Sequence, residues 1–543
     1  MIKRLAIPLI AALLLLFSVL AVTDRFETYY PFVEIEGGVT TPADSSGSVS
    51  LTFLFQAQSS MSSCEALTGN ITRVALANCP QCRVNQVHCL ARLDDDRRQL
   101  LSDHAVPFPS SRMANGVVGY RSNDPGVADA ACRAAERQAL GKDTVKCFAA
   151  GSARPHPANK HTDPIRLGFS LLAFLVAAFS AWSICWLIVK YEHLHAHLSH
   201  DHMDAGPQKF HAVPTPRIGG IGIVAGLVAA GGVVMLAEQL VFEREFGLLL
   251  IAGIPAFLGG LVEDVTKKVG VLERLLLTML SGAVAAWLLG AMLNRLDIPF
   301  IDQALMWLPL AACLTIVAVG GVANAVNIID GYNGLAAGYA VVALAAIAGV
   351  AAWEGDVLIL TVALSLAGAL LGFLKWNWPG GRIFLGDGGA YLLGFLLAEA
   401  SILLVVRNTN ISPWFPLLLL IHPIFETLFS IYRRKFRRGH TPGRPDALHM
   451  HQLIYSRLVR IHVGTRVANE KLRRNGKVAP YFWTIAIVLA IAGTVFRGDT
   501  FVLIALSLAY CVFYVVMYVR IATWRSAWGD RCKQERNERV RPH

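Results

Sequence analysis

Runs of about 20 apolar residues recur along this chain, and that length is what a helix needs to cross the hydrocarbon of a bilayer. They fall near 6–22, 166–189, 218–240, 246–262, 273–293, 303–323, 335–353, 357–374, 388–406, 411–432, 480–496 and 500–520. Lipid offers no partner to a bare backbone amide or carbonyl, so segments of this kind must be helices. The expectation is an all-α polytopic membrane protein with about twelve membrane helices. The bulk agrees: 54% of the 543 residues are hydrophobic and only 16% are charged, with a mean hydropathy of +0.48.

Lysine and arginine set the expected orientation. The chain opens Met1-Ile-Lys3-Arg4, which favours a cytoplasmic start. The segment 433–479 carries 13 Lys and Arg against Asp446 and Glu470, and from Arg520 onward seven basic residues face three acids. Twelve helices with the N-terminus inside put both basic regions in the cytoplasm, together with 190–217, 263–272, 324–334 and 375–387. The net charge of +11 is then positive-inside bias and attraction to anionic lipid, not nucleic-acid binding.

Four sections follow from this reading. Residues 1–22 are a membrane helix or signal anchor, cleavage after Ala21 being the alternative. Residues 23–165 are an exported domain, 166–520 a membrane domain, and 521–543 a basic cytoplasmic tail. The exported block holds Cys64, Cys79, Cys82, Cys89, Cys132 and Cys147, six of the ten cysteines. An even number in an oxidising compartment reads as structural disulfides, up to three, with the pairing open. Cys79-Pro-Gln-Cys82 as a zinc or redox pair is the less favoured reading. Val49–Gln56 reads as a strand and Ala128–Leu140 as a short helix. The cysteines at 185, 313, 511 and 532 read as packing residues.

Polar residues are expensive where membrane helices meet, and they mark working sites there. The densest group is Asn324-Ala-Val-Asn327-Ile-Ile-Asp330-Gly-Tyr-Asn333-Gly334. Its spacing of three lines Asn324, Asn327 and Asp330 along one side of a helix end. Carboxamides suit phosphate and sugar hydroxyls, and Asp330 suits a cation. A plain Asp-Gly turn would not need two asparagines in the preceding apolar helix. Glu263-Asp264 is a second break, read as a cation site or a base. Phe384-Leu-Gly386-Asp387-Gly388-Gly389 is a third; Asp387 reads either as a magnesium ligand or as a local N-cap. The fourth is Arg433–Arg438 followed by Arg444, Asp446, His449 and His451, cations and imidazoles for a diphosphate or a sugar. Lys209, His211 and Arg217 precede the third apolar run and suit a phosphate or lipid headgroup. The histidines at 193–202 read as a solvated turn rather than a metal site.

These motifs, taken together, resemble the bacterial polyprenyl-phosphate N-acetylhexosamine-1-phosphate transferases. PRIGG at 216–220, the acidic pair at 263–264, NAVNIIDGYNGLA at 324–336, NWPGGRIFLGDGG at 377–389, HPIFET at 422–427 and RPDALHMH at 444–451 occur in that family's order. Departures are Glu263 where an aspartate is usual, Asn333 for a second aspartate, and Gln452 for a third histidine. Residues 23–165 lie outside the likeness.

The resemblance implies transfer of a sugar-1-phosphate from a UDP-sugar to undecaprenyl phosphate, with release of UMP and initiation of a surface polysaccharide such as O-antigen. It implies Mg²⁺ or Mn²⁺ on Asp387 and Asp264, catalytic roles for Glu263, Asp264, Asp330 and Asp387, and substrate contacts by Lys209, His211, Arg217, Asn324, Asn327, Asn377, Arg444, His449 and His451. The expected setting is the inner membrane with the site facing the cytoplasm, and a homodimer is among the expectations. Direct attack by the lipid phosphate is preferred to a phospho-aspartate route. Two rival readings are the phospho-MurNAc-pentapeptide translocase of peptidoglycan synthesis, against which Gln452 argues, and a polytopic transporter or sensor, for which an internal repeat is missing.

Overall fold

Each apolar run that satisfies its own backbone becomes a helix, and the computed structural model of the chain is built from such helices. It describes residues 30–40, 46–55, 68, 83–90, 110–113, 116–121, 146–148, 164–199, 215–237, 243–437, 448–459 and 475–523. The described strands fall in a compact unit within 20–159, and the described helices in another from residue 160 onward.

The strand unit is a six-stranded sheet in the order β3-β1-β2-β5-β4-β6, with antiparallel neighbours throughout. Its strands are β1 Tyr30–Thr40, β2 Ser46–Phe55, β3 Arg83–Leu90, β4 Ser110–Met113, β5 Gly116–Arg121 and β6 Lys146–Phe148. The expected strand from Val49 is β2, which begins three residues earlier. Val33 and Ile35 are buried while Glu36 is exposed, the alternation of a strand with one solvated face. Cys89 is disulfide-bonded. The helix expected at Ala128–Leu140, the Cys79–Cys82 pair and the 6–22 segment lie outside the described residues.

The helical unit contains α1 Pro164–Lys190, α2 Glu192–Ser199, α3 Gly219–Leu236, α4 Glu243–Ala252, α5 Ile254–Thr266, α6 Val271–Leu289, α7 Pro299–Leu305 and α8 Leu308–Ile329. It continues with α9 Leu335–Glu354, α10 Val357–Asn377, α11 Gly386–Arg407, α12 Trp414–Leu419, α13 Ile421–Tyr432, α14 Met450–Ile454, α15 Ala479–Val495 and α16 Thr500–Thr523. Among the described residues nine helical stretches are long and apolar enough to cross a membrane, α4 and α5 counting together as one. α15 is apolar but shorter.

Nine of the twelve expected runs correspond to these stretches; 6–22 lies outside the described residues, 480–496 forms the shorter α15, and one run is corrected. The run 411–432 is not one helix: it breaks at Leu420 into α12 and α13. Pro416 and Pro423 flank that break. Proline cannot donate to the helical ladder and crowds the preceding turn, a cost that a hydropathy pattern does not register.

At the centre stands α11. Every residue from Gly388 to Val405 is buried, and Asp387 at its start is not. Both ends of α11 meet charge from other elements. At its C-terminal end the Arg295 guanidinium donates to the carbonyls of Val405 (3.2 Å), Asn408 (3.2 Å) and Ile411 (2.6 Å), and is itself held by Asp297 at 2.6 Å. A cation there complements the helix dipole and satisfies carbonyls that a helix end leaves free.

The N-terminal end of α11 is crossed by α5 at Gly260. A Cβ at Gly260 would run into the backbone of Asp387 and Gly388, so only glycine allows this approach. Gly260→Ala is expected to force α5 away from α11 and to destabilise by more than the roughly 1 kcal/mol of an ordinary point substitution. Thermal unfolding in detergent checks this; an unchanged midpoint would mean that the crossing is not constraining.

Candidate active site

Three short segments meet where α11 begins. The Phe384 amide donates to the Pro216 carbonyl (2.8 Å), and the Gly219 and Gly220 amides donate to the carbonyls of Phe384 and Leu385 (both 2.9 Å). This backbone ladder lays 216–220 along 384–385 and brings Arg217 over the helix start. Gly386 has φ +77°, and a Cβ on it would collide with the Arg217 carbonyl and the Asp264 carboxylate. Glycine is required on both counts.

The third segment is the end of α5. Asp264 is 1% exposed, and its two oxygens accept from the amides of Asp387 and Gly388, each at 2.9 Å. This settles the alternative reading of Asp387 as a local cap. Asp264, 123 residues away in sequence, caps α11, and the Asp387 side chain is left for other work. Arg217 lies 3.8 Å from both Asp264 and Asp387, and Arg274, in the first turn of α6, is ion-paired directly to Asp387. Two guanidinium groups and two carboxylates thus alternate in one small volume. A phosphate entering there would meet cations already poised to turn to it.

Asp330, at the end of α8, belongs to the same field. Burial pushes its carboxyl well above the ordinary range; Arg217 pulls it back and the Asp264 charge raises it again. Asn327 and Asn324 lie one and two turns earlier, and the Tyr391 hydroxyl donates to Asn324 at 3.5 Å, with Asn327 acting on the same hydroxyl. Tyr391 sits one turn after Asp387 on α11, and the Arg274 guanidinium lies 5.7 Å from the centre of its ring.

The remaining expected residues divide. Glu263 accepts the Val269 amide at 2.6 Å, which ties down the turn after α5. Asn377 accepts the Gly334 amide at 2.6 Å and donates to the Ile383 carbonyl at 2.7 Å, so its amide holds the two glycine-rich loops together. The Asn333 side chain likewise serves backbone, donating to the Pro379 carbonyl, while its backbone N–H donates to the Asn475 side chain. His449 and His451 stand with parallel rings 5.4 Å apart. His451 reaches the Asp330 loop, edge-on to Tyr332 at 5.5 Å between ring centres. Lys209, His211 and Arg444 lie outside the described residues.

Sequence reasoning passed over Arg274, Tyr391 and Glu426. Arg274 stands beside Glu273 in the first turn of a mostly apolar helix, and Tyr391 follows Asp387 by four residues; both are spacing signals. Gln452, noted as a departure from the family pattern, completes a capping box by accepting the His449 amide at 3.1 Å.

A membrane-embedded helical bundle with interleaved carboxylates and arginines at one end is the architecture of an enzyme for anionic, phosphate-bearing substrates. Comparison with known proteins gives the family. The profile of glycosyl transferase family 4 matches residues 246–405. The chain is 31% identical over 245 residues to a probable undecaprenyl-phosphate N-acetylglucosaminyl 1-phosphate transferase of Bacillus subtilis, covering 45% of this chain and 66% of the relative. It is 30% identical over 321 residues to the decaprenyl-phosphate N-acetylglucosaminephosphotransferase of Mycobacterium leprae, covering 53% and 75%. An undecaprenyl-phosphate alpha-N-acetylglucosaminyl 1-phosphate transferase of Escherichia coli K12 is 28% identical over 254 residues, covering 46% and 67%. The chain belongs to this family of polyprenyl-phosphate sugar-1-phosphate transferases.

His451 supplies a pH test of the site. Burial lowers its pKa from 6.5 to about 3, against an opposing pull from Glu426. Between those values the unfolded chain binds a proton that the folded chain refuses, so stability falls as pH drops from 6.5 toward 3. His451→Gln is expected to lose less stability than wild type between pH 7 and pH 5. Equal losses in the two thermal scans would refute the assignment.

Proposed function

We propose that the protein transfers a sugar-1-phosphate, of N-acetylglucosamine type, from a UDP-sugar to undecaprenyl phosphate and releases UMP. The observation that carries this reading is the convergence of Asp264, Asp387, Arg217 and Arg274 at the start of α11 in a chain of this family. The relatives' names speak of N-acetylglucosamine and a polyprenyl phosphate, which favours this reading over peptidoglycan-precursor transfer and over transport. The product would start a cell-surface polysaccharide, O-antigen or another glycan of the envelope. The site would face the cytoplasm at the inner membrane, where nucleotide sugars are made and the basic segments 433–479 and 520–543 are expected.

The donor set bears on the metal. No group of three or more His, Cys, Asp or Glu side chains among the described residues is arranged to enclose an ion. Mg²⁺ held by one or two carboxylates, water and substrate phosphates is the mode compatible with that. Asp387 is the fitting ligand, because its carboxylate is partly exposed and unburdened by capping. Asp264 is its neighbour, with each oxygen already accepting one amide. When bound, the ion would neutralise the diphosphate and stabilise the leaving UMP.

Protein groups would do the rest. Arg217 and Arg274 would exchange their carboxylate partners for phosphate oxygens, so that two anionic substrates can approach each other. Asp264 would hold Asp387 in place through α11. Asp330, with its raised pKa, suits removal of a proton from the lipid phosphate. An oxygen of that phosphate would then bond to the sugar-linked phosphorus as its bond to the bridging oxygen breaks. Asn324, Asn327 and Tyr391 line the approach for the nucleotide or diphosphate, and His449 with His451 would read the sugar.

UMP release by the purified protein with undecaprenyl phosphate and a panel of UDP-sugars is the direct assay. Turnover is expected with an N-acetylhexosamine donor and is expected to vanish with EDTA and in Asp387→Asn, the variant remaining folded and extractable. Full activity in Asp387→Asn would remove the metal assignment. Phosphorylated enzyme trapped from labelled donor without acceptor would replace direct attack by the covalent route.

A further inference from the structure

Outside the matched span 246–405, a connected polar cluster among the described residues joins α13, the His449–His451 turn and α16. It begins with a stripe of tyrosines. Tyr510, Tyr514 and Tyr518 are spaced by four, so they line one face of α16. Each reaches a partner on or beside α13. The Tyr510 hydroxyl lies 2.8 Å from His422 Nδ1, Tyr514 donates to Glu426 Oε2 at 2.7 Å, and Tyr518 accepts from Arg433 at 2.5 Å. Partners rise in number along both helices, so α13 and α16 run in the same direction and the rungs are in register.

The middle rung carries the chemistry. Glu426 is 1% exposed, and three groups converge on its carboxylate. Besides Tyr514, His449 Nδ1 lies 2.9 Å from Oε1, and the Met450 amide donates to both oxygens at 3.1 and 3.3 Å. An ionised carboxylate only accepts, so it satisfies all three partners at once. The same state fixes the proton of His449 on Nδ1 and turns Nε2 away from Glu426. One rung further along, Tyr518 and Arg433 both donate to the Leu448 carbonyl, at 3.1 and 2.8 Å. The turn at 448–450 is therefore held at three successive residues from α13 and α16.

That turn reaches the transfer site. His451, whose ring is parallel to that of His449, packs on Tyr332, and a Cβ at Gly331 would stand 3.3 Å from His451 Nε2. Asp330 precedes Gly331. The Nδ1 of His451 is buried with no hydrogen-bond partner among the described residues, so the ring is held by packing and by the turn beneath it.

We propose that α16 is a positioning element of the transfer site, with Tyr514 and Tyr518 holding His449 and His451 against the Asp330 loop through Glu426 and the Leu448 carbonyl. Glu426 and the two tyrosines are positioning residues, since each acts through the histidine turn. The inference rests on the reading of this site as the transferase centre.

Tyr514→Phe is the sharp test, because it removes one hydroxyl and keeps the ring contacts with Phe425 and Phe429. Glu426→Gln keeps the shape and replaces an acceptor with a donor. Ser507→Ala is the control: that hydroxyl bonds only within α16, to Leu503. The readouts are steady-state kinetics, the thermal midpoint, and amide hydrogen exchange of the peptide spanning 448–454.

Misplacing a reacting group by about 1 Å can cost about a hundredfold. On that scale kcat is expected to fall roughly tenfold in Tyr514→Phe and roughly a hundredfold in Glu426→Gln. KM for undecaprenyl phosphate should stay near wild type, and exchange should quicken in 448–454 alone. Ser507→Ala should match wild type throughout. Wild-type kcat and exchange in both variants would overturn the proposal. So would faster exchange spread over the whole bundle with a lowered midpoint, because that outcome marks ordinary structural support. If wild-type protein transfers nothing from any UDP-sugar, the transferase reading fails; the exchange measurement still decides whether α16 holds the turn.

Discussion

A buried carboxylate on the first amides of a central helix is the interaction on which the rest of the site depends. Asp264 satisfies the Asp387 and Gly388 amides, which the helix leaves without internal partners, and it places negative charge at the positive end of the helix dipole. The bond also fixes geography. It ties the end of α5 to the start of α11, and the ladder from 216–220 adds Arg217 to the same point. Asp387 is thereby freed from capping and offered to Arg274, or to whatever cation displaces it. Two aspartates divide the work: one builds, and the other turns its carboxylate to the arginines.

Much of this was legible in the chain. Apolar length gave the helices from 164 to 407 to within a few residues, because nothing but a helix satisfies backbone in lipid. The polar breaks at 263–264, 324–330 and 386–389 marked the site because their cost in such a setting demands a return. Less legible was which polar groups serve the ligand and which serve the backbone. Asn377, Asn333 and Glu263 carry the same functional groups as Asn324 and Asp387, yet the structure turns them onto amides and carbonyls. Local sequence holds little record of that choice, since the side-chain partners lie in loops up to 46 residues away. Arg274 and Tyr391 were missed for the converse reason: each lies in a mostly apolar helix outside the dense polar breaks, and only the fold puts them beside Asp387.

The broken run at 411–432 shows how the two kinds of information meet. Hydropathy sees one span, whereas the flanking prolines split it into α12 and α13. The break leaves α13 as a short helix that carries His422 and Glu426 and is followed at once by Arg433, the three partners of the tyrosines of α16. A segment that looked like one more crossing is thus also the seat of the polar rungs that reach the histidine turn.

The pinning of α11 at both ends has a mechanical consequence. Asp264 grips its first turn, and Arg295 grips the carbonyls where it finishes. A rod bolted at either end neither pistons nor rotates without breaking charge-assisted bonds, and its buried flank leaves little slack for tilting. The elements packed around α11 therefore share one fixed wall against which the site is assembled.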